Sequence, residues 1–459
     1  MTDPRPCTPP APRPLAALAL ALALAACERE REAGGAQGGA QGGEAGGAQG
    51  GEAGGAQGGE AGGAQGGEAG GARGGEAGGA QGGEAGGAGG DLEDDLPSDA
   101  PGRYRVGYRV LRFEYALPEP LARALSEDAG AAVAARALRV AVWYPTDATD
   151  ADYPLAAYPV LPSRRVALDA PPLAAGGRAP VLLYSHGAKV WPELGAFMSE
   201  HFASHGWVAV AVEHDLDHLQ SATRPRPDAM YLLRPLDASR ALDHLLALPP
   251  EDPLAGALDP ARVAAAGHSY GGYTAFALAG AAYDVEDLRG RCADLSDTFC
   301  ERLALLEPLF AAGARDPRVR LAIPQSAGNF RMFGAAGVAA AQAPVLHISA
   351  RRDQDCTEEG ANLPYWEALR AAAVPRHWLS LLNAGHASLT VSCAQFPTLE
   401  LDNGCGEDFT PPEAVHRLAN HYALSAARRY ASSAAAAAAE GARPLLSTPA
   451  EDDTMRFTP

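Results

Sequence analysis

Residues Gly267-His268-Ser269-Tyr270-Gly271 form a G-x-S-x-G pentapeptide. The surrounding stretch Arg262–Gly280, RVAAAGHSYGGYTAFALAG, reads as a short apolar strand, a sharp turn and a helix rich in small residues. That is the context in which this motif carries a nucleophile. A serine on such a turn sits on strained backbone, and side chains on both sides would collide. Gly267 and Gly271 remove the collision, and Gly272 lets the new helix lie close to the sheet. The helix start also points backbone N–H groups at the place where negative charge would develop. Ser269 is therefore the candidate nucleophile of an acyl transfer.

A serine hydroxyl needs a base, and the base needs an orienting acid. In strand–turn–helix serine enzymes both follow the serine, the acid first and the histidine last. Twelve histidines are present, so position must choose among them. His386 ends Leu381-Leu382-Asn383-Ala384-Gly385-His386, directly after the last expected strand, where a base-bearing loop belongs. His377 opens that same strand at the opposite edge of the sheet, and His416 and His421 fall on a closing helix. For the acid, the strand Val345–Ser349 is followed by Ala350-Arg351-Arg352-Asp353-Gln354-Asp355-Cys356. Asp353 has the usual offset and is favoured, with Asp355 as competitor. An oxyanion hole needs two aimed backbone N–H groups. One is that of Tyr270, after the serine. The other is expected from Ala188, because His186-Gly187 lets the loop after Ala179–Ser185 turn inward. His186 itself reads as a structural hydrogen-bonding residue.

Glu213-His214-Asp215-Leu216-Asp217-His218 has the look of a metal cluster. It follows a strand and need not be helical, so its spacing alone is weak evidence. A loop bordering the site at the C-terminal edge of a strand is the better reading. No C-x-x-C pair occurs. Neither a metal nor a cofactor is expected.

Several elements must position these groups. Arg103–Leu117 and Ala137–Tyr144 alternate or run apolar as strands do, and Pro145 stops the second. Ala179–Ser185 is a continuous apolar run, the signature of a strand buried on both faces of a parallel sheet. Phe197–His205 and Pro235–Leu248 read as helices, and Trp207–Val212 as a strand between them. Leu321–Ile323, Val345–Ser349 and Trp378–Leu382 supply further strands, and Pro412–Tyr430 a closing amphipathic helix. Strands alternating with helices argue a doubly wound, mostly parallel α/β sheet. Residues 281–316 interrupt that rhythm after the nucleophile helix and read as an insertion near the site, a candidate lid.

The chain divides into four parts. Residues 1–26 carry Arg5 and Arg13 ahead of an apolar run and read as a secretory signal. Leu24-Ala25-Ala26-Cys27 resembles a bacterial lipobox, which would make Cys27 a lipidated N-terminus. Residues 27–100 hold alternating GGAQ and GGEA units over 34–90, with no large apolar side chain, and read as a flexible tether. Random-coil scaling gives that repeat a span of ~40 Å. Residues 101–432 are long enough for one large core, and 433–459 read as a low-complexity tail without order. The formal net charge of −19 disfavours nucleic acid and anionic membrane surfaces as partners.

The segments VAVWYP (140–145), VLLYSHG (181–187), HGWVAVAVEHD (205–215), RPLDASRALDHL (234–245) and GHSYGGYTA (267–275) together resemble the platelet-activating-factor acetylhydrolase-like and predicted dienelactone hydrolase group of α/β hydrolases. The resemblance covers about Val106 to Tyr430. It implies an α/β-hydrolase fold, Ser-His-Asp catalysis through an acyl-enzyme, no metal, and a small ester or lipid substrate. Two departures stand out. In the animal acetylhydrolases the acid follows the strand after the elbow helix, whereas that strand ends here in Ile323-Pro324-Gln325-Ser326, with no carboxylate. Dienelactone hydrolases proper use cysteine where this chain has Ser269. Cutinase-like polyester-degrading enzymes share the elbow and the later acid. The expectation is an extracytoplasmic esterase tethered to a membrane by its N-terminal lipid. A peptidase of the same fold is a rival, but it usually needs a gating domain. A catalytically silent binding module is another, but it would have no reason to keep triad and hole together.

Five of the seven cysteines lie in the folded part: Cys292, Cys300, Cys356, Cys393 and Cys405. Outside the cytoplasm, disulfides are the default. Cys292–Cys300 would close a small loop in the insertion. The acid and histidine loops must be neighbours if Asp353 and His386 meet, so Cys356–Cys393 is the expected long-range bridge, with Cys405 left over. A local Cys393–Cys405 bridge is the rival.

Overall fold

The computed structural model describes residues 92–459 except 162–163, 174–176, 223–225, 295–297, 396–401 and 442. The expected signal segment, Cys27 and the repeat over 34–90 lie outside the described residues.

The strands are β1 (Arg105–Ala116), β2 (Ala135–Thr146), β3 (Ala156–Ala157), β4 (Arg165–Leu168), β5 (Ala179–Ser185), β6 (Val208–Glu213), β7 (Leu258–His268), β8 (Val319–Gln325), β9 (Val345–Ala350), β10 (Arg376–Leu381), β11 (Ala450–Glu451) and β12 (Met455–Thr458). They line up in one sheet in the order β11-β12-β10-β9-β8-β7-β5-β6-β2-β1-β4-β3. From β6 through β5, β7, β8 and β9 to β10 every neighbour is parallel. β2 joins β6 antiparallel, and β12 joins β10 antiparallel. This is the doubly wound, mostly parallel arrangement expected of α/β hydrolases, with the reacting edge where the parallel strands end.

Successive side chains of a strand point to opposite faces, and two cores result. Val181, Leu183, Val208, Val210, Val263 and Ala265 pack on one face, beneath the helices Met230–Leu246 and Tyr270–Leu278. Leu182, Tyr184, Ala209, Ala211, Ala264 and Ala266 pack on the other, with the helices Ala196–Ser204 and Pro412–Tyr430. All seven residues of β5 are buried, as its unbroken apolar run implies.

The helix expected to begin at Pro235 begins at Met230 and carries the proline inside it. A proline has no N–H for the carbonyl four residues earlier, here that of Tyr231. Two phenols occupy that carbonyl: Tyr273 donates to it at 2.9 Å and Tyr283 at 3.1 Å. Tertiary contacts thus replace the lost helical bond.

Three boundaries differ from expectation. Residues 92–100, read as tether, are part of the fold. Leu92 is buried, and buried Asp94 takes hydrogen bonds from Arg428 (2.9 Å) and His205 (2.6 Å). The tail from Ala434, read as lacking order, forms the helix Ala434–Gly441 and then β11 and β12. The insertion forms the helices Val285–Asp294 and Thr298–Ala312. Leu288, Leu303, Leu306 and Phe310 join the core of the nucleophile helix, and Arg302 pairs with Glu127 and Asp128 at the end of the helix Glu119–Ala129. The insertion is thus packed against the helix Glu119–Ala129 and the core beside the helix Tyr270–Leu278.

Candidate active site

β7 ends at His268, Ser269 makes the turn, and the helix starts at Tyr270. Ser269 has φ 57° and ψ −118°, a strained conformation for a residue with a side chain. The glycines explain how the turn fits. A Cβ on Gly271 would stand 1.8 Å from the Ser185 carbonyl oxygen, and one on Gly267 2.4 Å from that of Gly271. The backbone is pinned from outside, since the Ser269 N–H donates to the Gln325 carbonyl at 2.9 Å.

The acid and base loops leave β9 and β10, two neighbouring parallel strands. His386 Nδ1 donates to Asp353 Oδ2 at 2.7 Å. The other oxygen of Asp353 accepts the backbone N–H groups of Asp355 and Cys356, both at 2.8 Å. Asp353 is thus the residue that meets the imidazole, and Asp355 is not. Asp355 still acts through its charge. Burial works against the imidazolium, but the charge and hydrogen bond of Asp353 and the charge of Asp355 outweigh it and hold the His386 pKa up at about 9.

The base loop is held against the nucleophile turn by a residue the sequence reading passed over. His268 Nε2 donates to the His386 carbonyl at 3.0 Å, and the two rings lie 4.3 Å apart. Burial, reinforced by the neighbouring charge of His386, pushes the His268 pKa well down and keeps this ring neutral. The only sequence signal was its place immediately before the serine.

The loop expected to give the second oxyanion donor closes over the same point. A Cβ on Gly187 would lie 3.5 Å from the Cβ of Ser269. Arg234, fully buried, donates through Nη2 to the carbonyls of His186 (2.6 Å) and Gly187 (3.1 Å). In a trans peptide the C=O and the following N–H point in opposite directions. Fixing the Gly187 carbonyl on Arg234 therefore turns the Ala188 N–H the other way. Arg234 also faces the ring of Tyr270, the residue expected to give the first donor, at 4.5 Å, with Arg226 on that ring at 4.4 Å. Asp217 completes the support. Its carboxylate lies 3.6 Å from Arg234 Nε and accepts the Lys189 N–H at 3.1 Å.

Within the Glu213–His218 segment, His214 is held in a buried hydrogen-bond network. His214 Nδ1 donates to Asp237 at 3.0 Å, leaving Nε2 to accept the Ser185 hydroxyl at 2.9 Å. Asp237 also binds Arg136 and the Tyr115 hydroxyl. Burial pushes the His214 pKa down to about 4. His186 Nε2 accepts the His214 N–H at 3.1 Å, so its Nδ1–H donates to the Gly187 carbonyl at 2.6 Å. It supports the loop, as expected.

The disulfides join Cys292 to Cys300 and Cys393 to Cys405, with Cα separations of 5.2 and 5.3 Å. The expected Cys356–Cys393 bridge is therefore wrong, and Cys405 is not left over. Cys356 is buried and belongs to neither bridge. The acid and histidine loops do adjoin, but neighbouring loops need not bring their thiols together. The turn that gives the Cys356 N–H to Asp353 packs its sulfur beside Gly328, 3.3 Å from where a Cβ there would lie.

The family model for chlorophyllase matches residues 146–289, a stretch that holds the loop after β5 and the turn at Ser269 but neither Asp353 nor His386. A ferulic acid esterase from Streptomyces cinnamoneus is similar in structure, with a TM-score of 0.51 and 20% identity over 80% of this chain and 98% of that one. At that identity the likeness carries the α/β-hydrolase fold. No curated protein matches the chain.

Proposed function

We propose that this chain is a serine hydrolase of carboxylic esters. The observation that carries the reading is the 2.7 Å bond between His386 Nδ1 and Asp353, on a loop tied to the residue before Ser269. With Nδ1 occupied, Nε2 is left to act as base. Ser269 Oγ attacks the ester carbonyl as Nε2 takes its proton. The oxyanion forms against the N–H groups of Tyr270 and Ala188. The imidazolium then returns the proton to the leaving alcohol. Water, deprotonated by the same nitrogen, cleaves the acyl-enzyme and restores Ser269.

The chlorophyllase model and the ferulic acid esterase neighbour favour ester substrates. Small esters and lipid esters are the proposed class. Two disulfides favour an oxidising compartment. The lipobox-like Leu24–Cys27 supports anchoring by a lipid on Cys27. Cys27→Ser should then free the protein from membrane fractions.

The test is labelling by a fluorophosphonate probe together with turnover of p-nitrophenyl esters from acetate to palmitate, with ferulate esters in the same panel. Ser269→Ala should abolish labelling, and Ser269→Ala and His386→Ala should each lower turnover on the order of 10³-fold or more. Near-normal turnover by either folded variant would remove the reading.

A further inference from the structure

One residue outside the triad touches both loops that carry its acid and its base. Asn403 Oδ1 accepts the backbone N–H of Gln354 at 2.8 Å and that of His386 at 3.1 Å. Its Nδ2 donates to Asp355 Oδ2 at 2.8 Å. Its own carbonyl accepts the Ala387 N–H at 2.8 Å. Two bonds go to the acid loop and two to the histidine loop. The orientation of the amide follows from its partners. Two N–H donors face one end and a carboxylate faces the other, so a flipped amide would set donor against donor and oxygen against oxygen.

The approach is close as well as polar. A Cβ on Gly385 would stand 2.4 Å from the Asn403 carbonyl carbon and 2.5 Å from the Gly404 nitrogen. Ser388 Oγ donates to the Gly404 carbonyl at 2.9 Å, and Gln354 Nε2 to that of Asp402 at 2.9 Å. Asn403 itself lies two residues before Cys405, whose disulfide to Cys393 ties this segment to the chain just beyond the base loop.

We infer that Asn403 is the positioning residue of the triad, a carboxamide clamp that sets the Asp353 loop against the His386 loop, with the Cys393–Cys405 disulfide presenting it. The clamp acts where a direct bridge between the two loops was expected from sequence. It explains why an amide is needed there. An aspartate would keep the acceptor but set a second carboxylate against Asp355, an alanine would lose all three side-chain bonds, and a glutamine would not fit the same span. The inference rests on the proposed hydrolase reading, because positioning has a measurable effect only if the triad reacts.

The experiment compares the full-length wild type with Asn403→Ala, Asn403→Asp and Cys393→Ala/Cys405→Ala, using p-nitrophenyl acetate turnover across pH and the rate of fluorophosphonate labelling. Small misplacement of reacting groups costs on the order of 10²-fold. Asn403→Ala should lower kcat ~10- to 100-fold with KM within about twofold of wild type. The titratable groups facing the His386 ring are Asp353, Asp355, neutral His268 and the buried thiol of Cys356, whose sulfur lies within 4.8 Å of a ring nitrogen. Asn403→Asp adds a negative charge to that set, so its rate profile should move to higher pH, while that of Asn403→Ala moves lower as the Asp353 contact loosens. Loss of the disulfide should reproduce part of the kcat effect and add little to Asn403→Ala when the variants are combined. If Asn403→Ala does not fold, the nearly isosteric Asn403→Asp carries the test through its profile. Normal labelling of the wild type with unchanged kcat and pH profile in the Asn403 variants overturns the clamp alone. Absence of labelling in the wild type overturns the hydrolase reading, and the clamp with it.

Discussion

Asp353 divides its two oxygens between different tasks: Oδ2 accepts the His386 Nδ1 proton at 2.7 Å, and Oδ1 accepts two backbone N–H groups of its own loop. That division predicts the outcome of Asp353→Asn. The two N–H donors fix the amide oxygen at the Oδ1 position, so the NH₂ must face the imidazole. Nδ1 then becomes the acceptor and the proton moves to Nε2, which can no longer take one from Ser269. kcat should fall on the order of 10⁴-fold with the fold intact. Asp355→Asn should cost far less at the optimum pH. A crippled Asp355→Asn beside an active Asp353→Asn would reverse the assignment.

The raised His386 pKa of about 9 makes the free enzyme a poor base at neutral pH. kcat/KM should rise with pH and level off above about 9. Asp355 contributes charge to that elevation, so Asp355→Asn should shift the rising limb to lower pH. The sign for stability is opposite. A histidine with a raised folded pKa stabilises fully below its ordinary 6.5, and that contribution is lost as pH climbs through about 9. Activity and stability should therefore move in opposite directions between these values. Rate profiles and thermal melts on the same buffer series check both, and a flat rate between pH 6.5 and 9 would contradict the first.

The parts of the site legible in sequence were those set by local sterics. Glycines and small residues around Ser269 announce the turn, and the apolar run of β5 announces a central strand, because both follow from what adjacent residues can tolerate. That Asp353 and His386 should meet follows from their offsets after two strands, and those strands are parallel neighbours. What was hidden depends on contacts between distant segments. Pro235 lies inside a helix because phenols from Tyr273 and Tyr283 take the carbonyl it leaves open. The chain around Asp94 is ordered because a buried arginine on the closing helix meets it. Asn403-Gly404 reads as an ordinary turn until the two triad loops are seen on either side of it.

Arg234 should prove a positioning residue for the oxyanion hole. Its Nη2 holds the His186 and Gly187 carbonyls, and its guanidinium covers the Tyr270 ring. Arg234→Met keeps the stem and removes one of the two donors on the Gly187 carbonyl, so the peptide that aims the Ala188 N–H is held by His186 Nδ1 alone. Loss of one oxyanion donor costs about 10²–10³-fold in kcat, which bounds the effect. KM for a short ester should change little. Melting of the variant separates a misaimed hole from a disrupted core. An Arg234→Met variant with full kcat would show that the loop is held by other bonds.

The C-terminal strand should matter to both stability and catalysis. β12 pairs antiparallel with Trp378–Leu381, and the Leu382 N–H donates to the Thr454 carbonyl at 2.8 Å. The chain then runs through Asn383, Ala384 and Gly385 to His386, so β12 braces the strand that delivers the base. Phe457 is 1% exposed, with its ring 4.4 Å from that of Tyr422 on the closing helix and stacked on His377 at 5.9 Å. Truncating a buried phenylalanine to alanine costs about 3–5 kcal/mol, so Phe457→Ala should lower the melting temperature substantially. The exposed Arg456–Glu451 pair contributes little, and Glu451→Ala is the matched control. Deleting residues 450–459 should lower the melting temperature further. It should also reduce kcat at temperatures well below the transition, because β10 becomes an open edge and the base loop loses its brace. A truncated chain that melts and turns over like the full one would show that β12 is only an ornament on the sheet.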